Sequence, residues 1–227
     1  NLGWKGFKVT NEAEAVVSSS FPEGKIKAED WFQPHAGFAV ELSPEAEIFG
    51  GFTQVTKAFA SATTTGPFST NQAGFDQIRD DLKPESSDTY ELGLRYNSSR
   101  FNGTLGAYLV NFRNRLLAVQ VGSPILGLAS ALQNVGNVRA VGIEAAGDLK
   151  LGQGFGLYAS YSYTDATYRD DVLNSSDGTL VAAIKGKTVV DSPKHLLRGE
   201  LNYDQGPLFG RIGANYMSKR YYSYTND

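Results

Sequence analysis

Residues 154–164, Gly-Phe-Gly-Leu-Tyr-Ala-Ser-Tyr-Ser-Tyr-Thr, change side-chain character at every step. A period of two belongs to a β-strand with one apolar face, because successive side chains point to opposite sides of the pleat. Phe155, Leu157, Ala159, Tyr161 and Tyr163 fall on one face; Gly156, Tyr158, Ser160, Ser162 and Thr164 fall on the other. The pattern recurs. In 89–97, Tyr90, Leu92, Leu94 and Tyr96 oppose Glu91 and Arg95; in 139–150, Val141, Ile143, Ala145 and Leu149 oppose Glu144, Asp148 and Lys150. Leu197, Leu201 and Tyr203 oppose Arg198, Glu200 and Asn202, and Leu208, Ile212, Ala214 and Tyr216 oppose Arg211 and Asn215. Phe101, Leu105, Ala107 and Leu109 supply one more apolar face, and no charge interrupts any of them. Helical periodicity is nearly absent, so the chain is read as all-β.

The connections decide which all-β architecture. Ser43-Pro-Glu-Ala46, Asn97-Ser-Ser-Arg100, Leu151-Gly-Gln-Gly154 and Asp204-Gln-Gly-Pro207 read as tight turns. Between them lie long connections at 59–87, 113–138 and 167–193, and from residue 34 onward short and long alternate. Loops of that length are uncommon in a compact soluble domain. A transmembrane barrel has a reason for them: short turns on one side of the membrane and long loops on the outer side. Aromatic placement agrees, with Tyr96, Phe101, Phe155 and Tyr203 beside the tight turns and Tyr90, Tyr163 and Tyr216 toward the other strand ends. These read as two girdles around an apolar band. The same faces would also suit the core of a soluble sandwich, which stays as the alternative.

About nine strands are expected, at 1–9, 34–42, 47–58, 88–97, 100–112, 138–151, 154–167, 194–204 and 207–219, with 116–121 and 131–136 extending one hairpin beyond the membrane. The fold class is thus an antiparallel up-and-down transmembrane β-barrel portion with long extracellular loops. An odd count cannot close such a barrel, and open edges have no water to satisfy them in lipid. Residues 1–227 are accordingly expected to be part of a larger barrel.

Composition closes off other functions. The net charge of −3 gives no basic field for nucleic acid, and zero Cys excludes disulfides, thiolate catalysis and Cys-based metal sites. No metal site and no cofactor are expected: His35 and His195 are far apart and each reads as a strand residue. Asp170-Asp-Val-Leu-Asn-Ser-Ser-Asp-Gly178 fails the calcium-loop spacing and reads as a solvated loop. Gly152-x-Gly154-x-Gly156 lacks the strand–helix setting of a dinucleotide site, and no Gly-x-Ser-x-Gly elbow occurs. Glu85 and Glu91 could pass for paired carboxylates, but a loop residue and an inward strand residue explain them better. The chain is not expected to be an enzyme. Glu91, Arg95, Glu144, Arg198, Glu200 and Arg211 are expected to line a polar lumen, and Tyr168, Arg169, Arg220, Tyr221 and Tyr222 are candidate ligand contacts in the outer loops.

Lys83-Pro-Glu-Ser-Ser-Asp-Thr-Tyr-Glu-Leu-Gly-Leu-Arg95 resembles the TonB-dependent outer-membrane receptor family, in which a Pro-Glu and a Glu-x-Gly-x-Arg-like strand follow a long loop. Phe52-Thr-Gln-Val-Thr-Lys-Ala-Phe59, Tyr108-Leu-Val-Asn-Phe-Arg-Asn-Arg115 and Asn134-Val-Gly-Asn-Val-Arg-Ala-Val-Gly-Ile-Glu144 continue it in order, followed by Ser192-Pro-Lys-His195 and Tyr216-Met-Ser-Lys-Arg-Tyr-Tyr222. The resemblance covers roughly 34–224. It implies the outer membrane of a Gram-negative bacterium, contact with outer-membrane lipid, and uptake of a scarce small-molecule nutrient, most often a ferric siderophore. It implies energy from the TonB–ExbB–ExbD complex, received through an N-terminal plug and box that nothing in these residues resembles. Residues 1–227 are therefore read as part of the family's C-terminal barrel domain, without the plug. A passive porin-like channel remains one alternative for function, and a soluble secreted carbohydrate-binding β-sandwich the other.

Overall fold

The computed structural model describes residues 1–14, 21–60, 66–120, 130–173 and 178–227. In chain order the elements are β1 (Leu2–Ala13), β2 (Gly24–Ser43), β3 (Ala46–Thr56), α1 (Gln72–Ile78), β4 (Ser86–Asn97), β5 (Phe101–Arg113), β6 (Leu116–Gln120), β7 (Ser130–Asn134), β8 (Val138–Gly152), β9 (Phe155–Tyr168), β10 (Val172–Leu173), β11 (Leu180–Ala182), β12 (His195–Gln205) and β13 (Leu208–Met217). Nine of them form one sheet in the order β1-β2-β3-β4-β5-β8-β9-β12-β13. Every neighbouring pair in it is antiparallel. The remaining four strands form the small hairpins β6–β7 and β10–β11 inside two of the long connections. Among the described residues the sheet does not close on itself, since β1 and β13 each pair along one edge only.

Register carries the apolar alternation from strand to strand. One row of directly paired residues runs Val40, Ile48, Leu94, Leu105, Ala145, Tyr161, Leu197 and Tyr216 across eight strands. Because paired residues share a face, a strand slipped by one residue would carry its inner-face side chains into this row, Glu47, Arg95 or Glu144 among them. Among the described residues nothing packs over this face: in neighbouring rows Leu92 is 53% exposed, Ile143 48%, and Leu157 and Leu201 39% each. A sandwich would bury these residues between two sheets. The architecture is therefore a barrel wall with its apolar face outward.

Aromatic pairs edge that face as the sequence suggests. Phe155 and Tyr203 lie 4.7 Å apart and Tyr96 and Phe101 6.1 Å apart at the tight-turn end. Phe52 with Tyr90 (4.9 Å) and Tyr163 with His195 (5.3 Å) mark the other end. The stretch from Phe155 to Tyr163 is about 26 Å along the strand, or about 20 Å in height at the usual barrel tilt. The turns beneath are locally encoded. Gln153 and Gly154 both have positive φ (52° and 83°), which makes β8–β9 a two-residue hairpin of the kind that glycine favours.

The packed interior lies in the long connections. Ile26 and Ala28 of β2 join Phe59, Phe68, Phe75 and Leu82 in one cluster, and Val135, Val138, Tyr168, Val172 and Ile184 form another. Helix α1 belongs to the first; its Asn71 side chain caps it by accepting from Gly74 N at 2.9 Å, and Phe75 is fully buried.

Four features differ from the sequence expectation. Helix α1 and the short β10–β11 hairpin were expected as plain loop, β1 runs on to Ala13, and β2 begins at Gly24 rather than at 34. The last has a clear cause. A bulge between Lys5 and Phe7 sets Trp31 and Phe32 opposite Gly6, so the apolar side of β2 changes face there. Below it Phe38, Val40 and Leu42 point outward; above it Ile26 and Ala28 turn into the loop cluster. Position 121 of the expected hairpin lies outside the described residues.

Candidate functional site

The face opposite the apolar rows carries the charges. Glu91 pairs with Gly51 and Tyr108, Arg95 with Glu47 and Thr104, and Glu144 with Gly106 and Ser162. Arg198 pairs with Ser160 and Asn215, Glu200 with Tyr158 and Gly213, and Arg211 with Asn202. All six residues named from the sequence share this face.

Two groups form among them. Arg95 donates to Glu47 Oε1 at 2.7 Å and lays its guanidinium 4.1 Å from the centre of the Phe49 ring. Glu200 meets Arg198 at 3.1 Å and Arg211 at 3.9 Å, while Arg198 also lies 5.7 Å from the Tyr158 ring. These arginines are about half exposed or more, so the pairs contribute on the order of 0–1 kcal/mol each. They give the face a wetted, mixed-charge surface rather than holding the fold. Glu47, Phe49 and Tyr158 were not singled out by sequence reasoning. Only cross-strand register brings them to the arginines, and register is not visible in one strand at a time.

Gly37 and Gly51 pair directly on this face and leave it thin. A recess of about 470 Å³ opens there, bounded by His35, Phe49, Glu91 and Arg95. His35 packs its ring over Gly3, where a Cβ would stand 2.8 Å away. His195 is on the opposite, apolar side, with Nδ1 2.9 Å from Tyr161 Oη. The two histidines share no site.

The loop candidates separate. Tyr168 is 1% exposed and belongs to the second loop cluster, edge-on to Tyr224 at 6.4 Å. Its place among packed aliphatic side chains puts the ring out of a ligand's reach, which corrects the expectation for this residue. Arg169 is exposed, and its backbone N–H donates to Asn137 O at 2.8 Å. Arg220 meets Asp191 at 3.4 Å, and Tyr221 O accepts from Asp191 N at 3.0 Å. Tyr222 is 98% exposed. Asn226 exchanges two hydrogen bonds with the Thr188 backbone (2.7 and 2.8 Å), so residues 218–227 lie over the connection before β12. At the same rim Lys194 bonds Asp165 at 2.7 Å, and that hydrogen bond raises the lysine pKa above its ordinary value.

Residues from the motif segments turn out to fasten loops. Glu85 meets Arg115 at 2.9 Å and accepts from Leu116 N at 3.2 Å, so it anchors the foot of β6 rather than pairing with Glu91. Asn134 bonds both Lys83 N and Lys83 O, and also Asn114 O. In the acidic stretch 170–178, Asp170 accepts from Asn137 N and Asp171 from Lys185 N, both at 2.8 Å. Residues 174–177 of that stretch lie outside the described residues. Among the described residues no three His, Asp or Glu side chains gather as a metal site.

A barrel wall with a charged inner face and loops fastened over one rim is an arrangement for passing or gripping a polar solute. Residues 5–227 match the family model described as TonB dependent receptor-like, beta-barrel. An uncharacterized TonB-dependent receptor of Haemophilus influenzae is 30% identical over 154 residues, which is 66% of this chain and 41% of that protein. Among solved structures, the siderophore receptor PiuA from Acinetobacter baumannii superposes with a TM-score of 0.74 at 17% identity, over 99% of this chain and 31% of that one. The ferric citrate transporter FecA in its unliganded form gives 0.65 at 19% identity, over 89% and 27%. The chain thus spans less than half the length of the relatives it matches.

Proposed function

The chain belongs to the TonB-dependent receptor β-barrel family, a family of transporters and not of enzymes, and from that premise we propose that it forms part of the wall of an outer-membrane receptor importing a scarce small-molecule nutrient. A ferric siderophore or a similar chelate is the cargo class this reading favours, in keeping with the siderophore receptor and the ferric citrate transporter that share the fold. Uptake would draw on the TonB–ExbB–ExbD complex through parts of the protein outside residues 1–227. The supporting observation is the two-faced sheet. An uninterrupted apolar face suits lipid, and the Arg95–Glu47 and Arg198–Glu200–Arg211 groups suit a water-filled lumen.

The open edges of β1 and β13 support a larger barrel. Each presents a row of backbone donors and acceptors, and each group left unpaired in lipid costs several kcal/mol. Further strands of the same protein would satisfy them. Arg169, Arg220, Tyr221 and Tyr222 remain the loop contacts proposed for the ligand, in a region where two arginines and two tyrosines suit an anionic, aromatic-bearing chelate.

The test is uptake of radiolabelled ferric siderophores by cells whose only such receptor is the complete protein, with and without an intact TonB. Saturable, TonB-dependent accumulation of at least one chelate is expected. Flux that is unsaturable and indifferent to TonB would instead identify a passive porin.

A further inference from the structure

A wall face that borders water is polar, and at one place the inner face is not. Leu196 of β12 and Met217 of β13 pair directly on that face, 43% and 51% exposed. Met217 is the single methionine of the 227 residues. Phe49, another large apolar side chain of the inner face, lies under the Arg95 guanidinium at 4.1 Å. Leu196 and Met217 carry no such cover among the described residues.

Register builds a recess around them. Glu144, Ser162, Leu196 and Met217 form one inner row across four strands, and Ala146, Ser160, Arg198 and Asn215 form the next, nearer the tight turns. The small residues among them leave a hollow of about 730 Å³. Small-molecule sites occupy roughly 300–1,000 Å³ and combine an apolar floor with a few convergent polar groups. Here Leu196 and Met217 give the floor, and Glu144, Arg198 and Asn215 stand around it. Two neighbours hold the arginine: Glu200 at 3.1 Å and the Tyr158 ring at 5.7 Å. The outer lip is fixed as well. His195 N donates to Ser218 Oγ at 3.0 Å, and Ser218 N donates to His195 O at 2.9 Å. Just past that lip the chain beyond Met217 reaches Arg220, Tyr221 and Tyr222, the proposed loop contacts.

We propose that this recess is a cargo subsite on the inner wall, taking an aromatic ring of an anionic chelate. It rests on the receptor reading above and narrows the cargo class. A branched aliphatic side chain and a thioether suit the face of a ring, and methionine both adapts its shape and makes favourable sulfur–aromatic contacts. Arg198 and Asn215 can donate to carboxylate or phenolate oxygens at the ring's edge, while Glu144 can accept from a hydroxyl or amide. A compact polycarboxylate without a ring would meet Arg198 but leave Leu196 and Met217 uncovered. Continuity with the loop contacts argues for cargo as the occupant, since a chelate leaving them reaches the recess along one face.

The complete receptor is equilibrated in detergent with radioiron, presented either as a ferric tris-catechol chelate or as ferric citrate, and bound iron is counted. Both chelates are anionic, so the ring is what separates them. The expected result is saturable binding of the tris-catechol chelate, about tenfold or more tighter than of citrate. Leu196→Asn and Met217→Gln are each expected to weaken it about tenfold, and Met217→Leu to leave it within about twofold. Wild-type protein that binds citrate as tightly, or neither chelate, overturns the aromatic assignment; TonB-dependent uptake of another solute then keeps the receptor reading intact. Catechol binding unchanged by the polar substitutions overturns the subsite, and a lowered unfolding midpoint alongside it identifies Leu196 and Met217 as a packing surface for the rest of the protein. Uptake that is unsaturable and indifferent to TonB overturns the receptor reading and the subsite together.

Discussion

Asn134 grips Lys83 at both ends of its backbone: its side-chain oxygen accepts from Lys83 N at 2.8 Å, and its nitrogen donates to Lys83 O at 2.9 Å. Residues 51 positions apart are thereby locked as if they were neighbouring strands. With a third bond to Asn114 O at 2.8 Å, one amide ties the end of β7, the foot of β6 and the approach to β4. Asn134→Ala removes all three bonds and leaves partly covered backbone groups unsatisfied, at a cost of about 1–3 kcal/mol to the loop. Hydrogen exchange at Lys83, Leu116 and Val135 is expected to speed up, with exchange in β8 and β9 unchanged.

Opposite sheet faces should tolerate an arginine differently. Leu105→Arg places a charge in the outward band and is expected to cost about 2–4 kcal/mol of folding stability in bilayers. Ser162→Arg places it on the inner face beside Glu144 and is expected to cost little. Ser160 is a poorer choice for the comparison, because it lies directly opposite Arg198. Folding titrations of the complete receptor in vesicles measure both.

The inner ion pairs should matter little to stability. Glu200→Gln weakens its contacts to Arg198 and Arg211, yet both arginines stay well exposed. A change under about 1 kcal/mol in unfolding free energy is expected. The same titrations, repeated at high salt, should bring the variant and the wild type together.

Gly154 should be among the least replaceable turn residues. Its φ of +83° is unfavourable for other side chains, and a Cβ would stand 2.8 Å from Asp204 O. Gly154→Val is expected to destabilise the β8–β9 hairpin by about 1–3 kcal/mol. Gly206, also at positive φ but with open space around it, should suffer less from the same change. Unfolding midpoints of the two variants compare them directly.

How much was legible follows from what each part faces. Lipid enforces strict alternation, so the strands around Leu92, Ile143, Leu157 and Leu201 could be read with their outward sides. At Trp31–Phe32 the alternation changes phase, and the ten residues of β2 before 34 dropped out of the pattern. Helix α1 is too short for periodicity to show, with Phe75 its one fully buried side chain. Tyr168 looked like a rim aromatic because nothing in its own strand announces Ile184 and Val172 closing over it. The inner charges were readable one by one, whereas the stacking of Arg95 on Phe49 needs the register of β3 against β4.

The central claim is that one sheet face meets lipid and the other meets water. Single cysteines placed in turn from Phe155 to Tyr163 and spin-labelled in the reconstituted receptor test it through collisions with oxygen and with a water-soluble nickel complex. The account predicts a period of two: oxygen-accessible labels at 155, 157, 159, 161 and 163, and nickel-accessible labels at 156, 158, 160 and 162. Labels at the odd positions shielded from both reagents, as between two packed sheets, would contradict it.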